Sequence, residues 1–154
     1  MQIRVIAVGR VHERYLAEAL LDFRARLRPY HRLEQLEVKA GGPSPERATA
    51  REGEDILRLL RPHDHVWLLE RAGAELSSRE FAQRLERLAG EGTSEVTFII
   101  GGAYGTSDAL KARANVRWSL SRLTLLHEWA RALLYEQLYR AAKIARNEPY
   151  HHGD

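Results

Sequence analysis

The chain has 154 residues, of which 44% are hydrophobic and 29% charged, the balance of a folded globular domain rather than a disordered chain. It has no cysteine, which excludes a disulfide scaffold, a thiolate nucleophile and any cysteine-ligated metal site. The net charge of +3 is unevenly placed: residues 111–154 hold eight Lys or Arg against four acids, and residues 1–110 sum to −1. Such clustering is the expected footprint of a polyanion, although an arginine-rich solvated surface gives the same count.

No apolar run approaches the roughly 18 residues needed to cross a bilayer, and the first ten residues lack the pattern of a secretory signal. The expectation is a single cytoplasmic domain over residues 1–154, with no membrane association.

In chain order, Ile3–Val8 is a β-branched run closed by Gly9 and reads as a buried strand. Leu16, Leu20, Phe23 and Leu27 recur at helical spacing until Pro29. Leu33, Leu36 and Val38 alternate with polar neighbours as a second strand. After the loop Gly41–Pro45, Ser44 and Pro45 open a helix through Ile56, Leu59 and Leu60. His65–Leu69 is a third strand. Ser77 and Glu80 form a capping box for a helix with Phe81, Leu85 and Leu88 inward.

Val96–Ile100 is the strongest strand and runs into Gly101-Gly102-Ala103-Tyr104-Gly105, followed by a short helix. Val116–Leu120 reads as a short fifth strand, and His127–Arg146 as one long helix that Pro149 ends. Strands alternating with helices predict an α/β fold with a mostly parallel sheet flanked by helices. Ligands of such sheets sit beyond the carboxyl ends of the strands. That rule selects the loop after Leu69, the Gly101–Gly105 loop, and Ser121–Leu126.

Each candidate has a plain alternative. The glycine turn lets backbone approach a ligand, or is only a tight turn, and it lacks dinucleotide-binding or phosphate-loop spacing. Ser119–Leu126 either plugs the core with leucines or offers backbone groups and apolar walls to an adenine edge. Glu136 and Arg140, four apart on the last helix, form at least a surface ion pair of small worth. Tyr150, His151 and His152 beside a basic helix offer a stacking ring and a titratable base, whereas termini are usually disordered. Two adjacent histidines without a third ligand make a poor metal site, and no metal is expected.

Taken together in this order, Ile100-Gly101-Gly102-x-x-Gly105, Trp118-Ser119-Leu120-Ser121, Leu123-Thr124-Leu125, His127, Ala130-Arg131, Glu136-Gln137-Leu138-Tyr139-Arg140-Ala141 and Asn147-x-Pro149-Tyr150-His151 resemble the ribosomal RNA large subunit methyltransferase H family, small members of the SPOUT superfamily. The resemblance implies a SPOUT-type α/β fold with a C-terminal trefoil knot, acting as a homodimer. It implies transfer of a methyl group from S-adenosylmethionine to N3 of a pseudouridine in 23S rRNA, within an assembled ribosome.

Carried over by position, the resemblance places the cofactor at Leu69, Gly102, Ser121, Arg122, Leu123, Thr124, Leu125 and Leu126. Tyr150 and His151 fall near the transferred methyl and the target base, with Arg140 as a further catalytic candidate. His151 is the candidate general base. The chain departs from the family's tail at Glu148 and His152, and has Leu126 where a proline is usual. The acid at Glu148 makes a non-catalytic ribosome-binding protein of the same fold the competing expectation. The basic segment becomes the expected RNA-facing surface, with Arg113, Arg117 and Arg140 as its test residues.

Overall fold

The computed structural model describes residues 1–153; Asp154, the last residue of the expected domain, lies outside them. Ten elements alternate along the chain: β1 (Gln2–Val8), α1 (Arg14–Leu27), β2 (Arg32–Val38), α2 (Pro45–Leu59), β3 (His65–Glu75), α3 (Ser78–Gly90), β4 (Glu95–Ile100), α4 (Asp108–Arg113), β5 (Val116–Ser119) and α5 (His127–Ala145). The five strands form one sheet in the order β2-β1-β4-β3-β5, every neighbouring pair parallel.

The alternation along each strand divides the core into two layers. Ile3, Val5, Ala7, Trp67, Val96, Phe98 and Ile100 face α1, α3 and α5. Ile6, Val8, Val66, Leu68 and Ile99 face α2 and α4, through Ile56 and Leu110. Apolar groups on both faces explain why these strands read as continuous hydrophobic runs. In the larger layer Phe81 stacks on Trp118 with ring centres 4.3 Å apart, and Trp67 meets Trp118 edge-on at 5.5 Å. These rings back the sheet directly beneath its carboxyl edge.

Local chemistry sets the helix starts. The Ser44 side chain accepts from the backbone N–H of Arg47, with Pro45 in the first turn. Ser77 and Glu80 close the expected capping box. At the other end of α5, Asn147 adopts φ +53°, and the N–H groups of Asn147 and Glu148 return to the carbonyls of Ile144 and Lys143. That is a Schellman stop, and it reverses the chain.

The structure corrects one expectation. No open loop follows Leu69: β3 continues to Glu75 past a four-residue bulge, and Leu69 and Ala74 both pair with Trp118. Gly73 makes this possible, because a Cβ there would sit 2.6 Å from the Arg117 carbonyl. The polar run Glu70-Arg71 reads as loop because its pairing depends on β5, a distant segment.

One buried cation joins the last helix to the first strands. Arg131 is 1% exposed; its guanidinium donates to Glu37 and, at 2.9 Å, to the carbonyl of Gly9. Glu128 adds a second link by accepting from the backbone N–H groups of His12 and Glu13. Arg131→Ala removes both of the first contacts and leaves Glu37 without its cation. A loss of about 3 kcal/mol of folding stability is expected, read as a lower urea midpoint.

Candidate active site

Strand register brings the predicted positions together. Ile100 lies between Ala7 and Leu69, and Leu69 lies beside Trp118, so the ends of β1, β4, β3 and β5 form one edge. The chain order reverses between β1 and β4, since α1 leaves to one face and α4 to the other. A crevice at such a switch point is where open α/β sheets bind ligands. Gly9, Leu69, Gly101 and Gly102 all lie at this edge.

The segment after β5 closes it. Ser121–Leu126 must travel from the outer strand to His127, whose ring lies 3.6 Å from the Cβ position of Gly9 at the end of β1. It therefore crosses the carboxyl ends of β3 and β4. Thr124 Oγ1 accepts from Arg71 at 2.7 Å, Arg122 pairs with Glu75 at 3.3 Å, and Ser121 Oγ accepts from the Leu123 N–H at 3.0 Å. Leu123 and Leu126 stay largely exposed. Ser119, at the start of this crossing, is buried with no hydrogen-bond partner for its hydroxyl.

The glycine turn is shaped by its neighbours. Gly105 has φ +84°, which suits glycine, and its N–H returns to the Gly102 carbonyl at 3.2 Å. At Gly102 the space for a side chain is already filled: a Cβ would lie 3.0 Å from Glu52 Oε1 and 3.0 Å from a Val8 methyl. A larger residue there collides with the protein itself, before any ligand.

Glu52 escapes a motif search, yet its spacing is informative. Ala48, Glu52 and Ile56 are four residues apart, which places the acid on the buried stripe of α2. Two further titratable groups, half-buried His31 and buried Tyr135, are structural. His31 is lowered in pKa by burial first and then by the Met1 amino group, and Tyr135 is pushed up to about 12 by burial.

The tail makes a second cluster. From Asn147 the chain doubles back along α5 and ends with the Gly153 carbonyl accepting from Arg79 at 3.0 Å. Arg140 donates to Glu136 through Nε at 3.0 Å, its Nη1 lies 3.1 Å from His151 Nδ1, and its guanidinium sits 4.8 Å from the Tyr150 ring centre. Tyr150 donates to Glu136 at 3.1 Å, and Gln137 links the group to Ser78. The Glu136–Arg140 pair is thus a part-buried junction rather than an isolated surface pair.

Two hydrogen-bonding roles follow. Burial first, and the Glu136 charge second, raise the Tyr150 pKa, so its hydroxyl stays a neutral donor. Arginine has only donors, so at this contact His151 Nδ1 is the acceptor.

The two clusters are separate within one chain. Arg140 lies thirteen positions after His127 along α5, about 20 Å of helix. The expected basic face is also dispersed. Arg113 donates to the carbonyls of Arg61 and Asp64 beside the start of β3, Arg117 is bidentate to Glu70, and Arg140 is held by Glu136. Net charge counts residues and takes no account of such pairing.

Among the described residues no group of three His, Asp or Glu is placed to hold a metal, and no helix is long and apolar enough to cross a membrane. A cavity of about 200 Å³ opens at the amino end of the sheet between α3 and α5, bordered by Tyr30, His31 and Arg146. It lies at the opposite end from the converging loops. Their shared strand edge and glycine turn identify them, and not the cavity, as the candidate site.

Comparison with known proteins gives the family. The family described as "Predicted SPOUT methyltransferase" matches residues 1–151. A protein of Desulfitobacterium hafniense is 45% identical, covering 98% of this chain and 99% of its own. One from Natranaerobius thermophilus is 41% identical over 99% of this chain and 100% of its own. A third, from Syntrophotalea carbinolica, is 44% identical over 98% and 99%. All three carry the name ribosomal RNA large subunit methyltransferase H.

The departure at Glu148 has a structural partner set. Its Oε2 accepts from Tyr30 at 2.7 Å and from Lys143 at 2.8 Å. Lys143 first and Tyr30 second hold this carboxyl below its ordinary value of 4.5. A lowered carboxyl contributes above its ordinary range and loses the contribution as pH falls through the lowered value. Amide protection of residues 147–151 is therefore expected to be full at neutral pH and to fall in acid. Glu148→Gln should show the reduced protection already at neutral pH, measured by hydrogen exchange.

Proposed function

This chain belongs to the SPOUT methyltransferase family, and we propose that it transfers the methyl group of S-adenosylmethionine to N3 of a pseudouridine in 23S rRNA of the assembled ribosome. The observation that carries this reading is the meeting of Leu69, the Gly101–Gly105 turn and Ser121–Leu126 at one strand edge, given the relatives' shared name. We read residues 1–154 as one such domain working in the cytoplasm. The crossing of Ser121–Leu126 over β3 and β4 is the part that would thread its trefoil knot.

The residues present suit the cofactor. Exposed leucines at 123 and 126 offer apolar walls, the turn offers backbone groups, and the unpartnered Ser119 hydroxyl offers a buried polar contact. Leu69, Gly102 and Ser121, Arg122, Leu123, Thr124, Leu125 and Leu126 would hold it. Bound there, S-adenosylmethionine supplies an activated methyl group, and the protein's task is to present the nucleophile in line.

The tail residues act on the base. N3 of pseudouridine is protonated at neutral pH; its proton passes to solvent water before transfer, and the negative charge left behind spreads onto the flanking carbonyl oxygens. His151, with Nδ1 held by Arg140, presents Nε2–H as a donor to that charge, rather than serving as the general base. Arg140 orients the ring and adds positive charge. Tyr150, kept neutral, positions or stacks on the nucleotide.

Because about 20 Å of α5 separates tail and loops in one chain, the reading requires a homodimer in which the tail of one protomer meets the loops of its partner. An apolar strip supplies the face. Leu126, Trp129 and Leu133, on one side of α5, are 66%, 42% and 38% exposed. Glu148 is absorbed by Tyr30 and Lys143, so the altered tail gives no support to a non-catalytic ribosome binder.

Purified protein, labelled S-adenosylmethionine and ribosomes lacking the modification test the reading. One methyl per large subunit, mapped by mass to a single pseudouridine, is expected; cofactor binding without transfer would return the binder. In single-turnover assays, His151→Ala should slow transfer at least about tenfold across pH 6–8, with His151→Gln recovering part of it. A defect that is large at pH 8 and vanishes towards pH 6 would instead make His151 the base.

A further inference from the structure

Among the described residues, Glu52 is the acid with a buried carboxylate oxygen that has no hydrogen-bond partner. It is 4% exposed on α2, and Oε2 accepts from the Gly41 N–H at 2.9 Å. Oε1 is buried and has no hydrogen-bond partner. No Lys, Arg or His among the described residues forms an ion pair with it, and a lone buried carboxylate with an empty acceptor is costly. The staple to Gly41 explains one oxygen only.

Its position gives the other oxygen a task. Oε1 lies against the α-carbon of Gly102, where a Cβ would be 3.0 Å away. The next residue, Gly53, packs on Ser107, the cap of α4. Two consecutive residues of α2 thus press on both ends of the 101–107 loop, and the carboxylate is brought to the crevice between β1 and β4.

We propose that Glu52, buried behind Gly102, sets a negative potential at the methyl-donor site, and that this charge favours the cationic part of S-adenosylmethionine. The proposal rests on the functional reading above and adds a specificity to it. The donor carries a sulfonium and an α-ammonium. Once its methyl has passed to the nucleophile, the C–S bonding pair remains on sulfur and S-adenosylhomocysteine is left, a neutral thioether with one positive charge fewer. A fixed carboxylate in a water-poor site discriminates between the two by charge, holding donor and releasing product.

Calorimetric titration of S-adenosylmethionine and S-adenosylhomocysteine into the full-length protein and its E52Q variant tests this. Glutamine keeps the shape and still offers an oxygen to Gly41, so only the charge is removed. E52Q is expected to bind S-adenosylmethionine about tenfold more weakly while S-adenosylhomocysteine changes little, collapsing the donor-over-product ratio. Equal weakening of both ligands, or no change in either, would overturn the proposal and leave Glu52 a loop staple. If the parent binds neither ligand, the functional reading itself fails. Should thermal melting show E52Q unfolded, E52D decides: a retained ratio supports the charge, and a ratio near one overturns it.

Discussion

The architecture depends on the pinning of α5 to the first strand. Arg131, wholly buried, holds the Gly9 carbonyl and Glu37, while Glu128 takes the N–H groups that open α1. α5 returns across the sheet to bury Leu134, Tyr135 and Leu138, and these polar contacts fix where it begins. With them, Ser121–Leu126 is stretched over the carboxyl ends of β3 and β4 and becomes a wall of the crevice. A buried arginine rarely adds net stability over an apolar residue of its size. Here it specifies where a helix begins, and so where a loop must run.

The same constraint explains why the site is divided. α5 starts at the crevice and carries the proposed tail-site side chains, Glu136 and Arg140, well along its length. The Schellman stop at Asn147 then turns the tail back onto that helix, where Glu136 gathers Arg140 and Tyr150, and Arg140 holds His151. The tail is an ordered group whose donors are preset by the helix under it. In the proposed function a polyanion would meet a few oriented donors there, while several arginines are held in ion pairs within the chain, such as Arg117–Glu70 and Arg131–Glu37.

Much of this was visible in the residues. Apolar periodicity located the strands and helices, the serines at 44 and 77 marked their helix starts, and the sheet rule pointed to the three segments that converge. What escaped was long-range. The bulge after Leu69 forms only because β5 lies alongside, and the tail folds back because Glu148 meets Tyr30, 118 residues earlier. Glu52 was legible in principle, as an acid on the apolar stripe of α2, but its meaning needs Gly102 beside it. The roles of the basic residues could not be read from their number, since pairing is a property of the folded surface.

The central claim is that the methyl donor sits at the carboxyl edge of the sheet, among loops that one chain brings together and a partner's tail completes. Hydrogen exchange with and without S-adenosylmethionine tests it most directly. Protection confined to residues 69–73, 101–107 and 119–126, with a further gain at 149–151, is the result expected. Unchanged exchange in those loops, or protection centred on the cavity near Tyr30 and His31 at the opposite end, would contradict it.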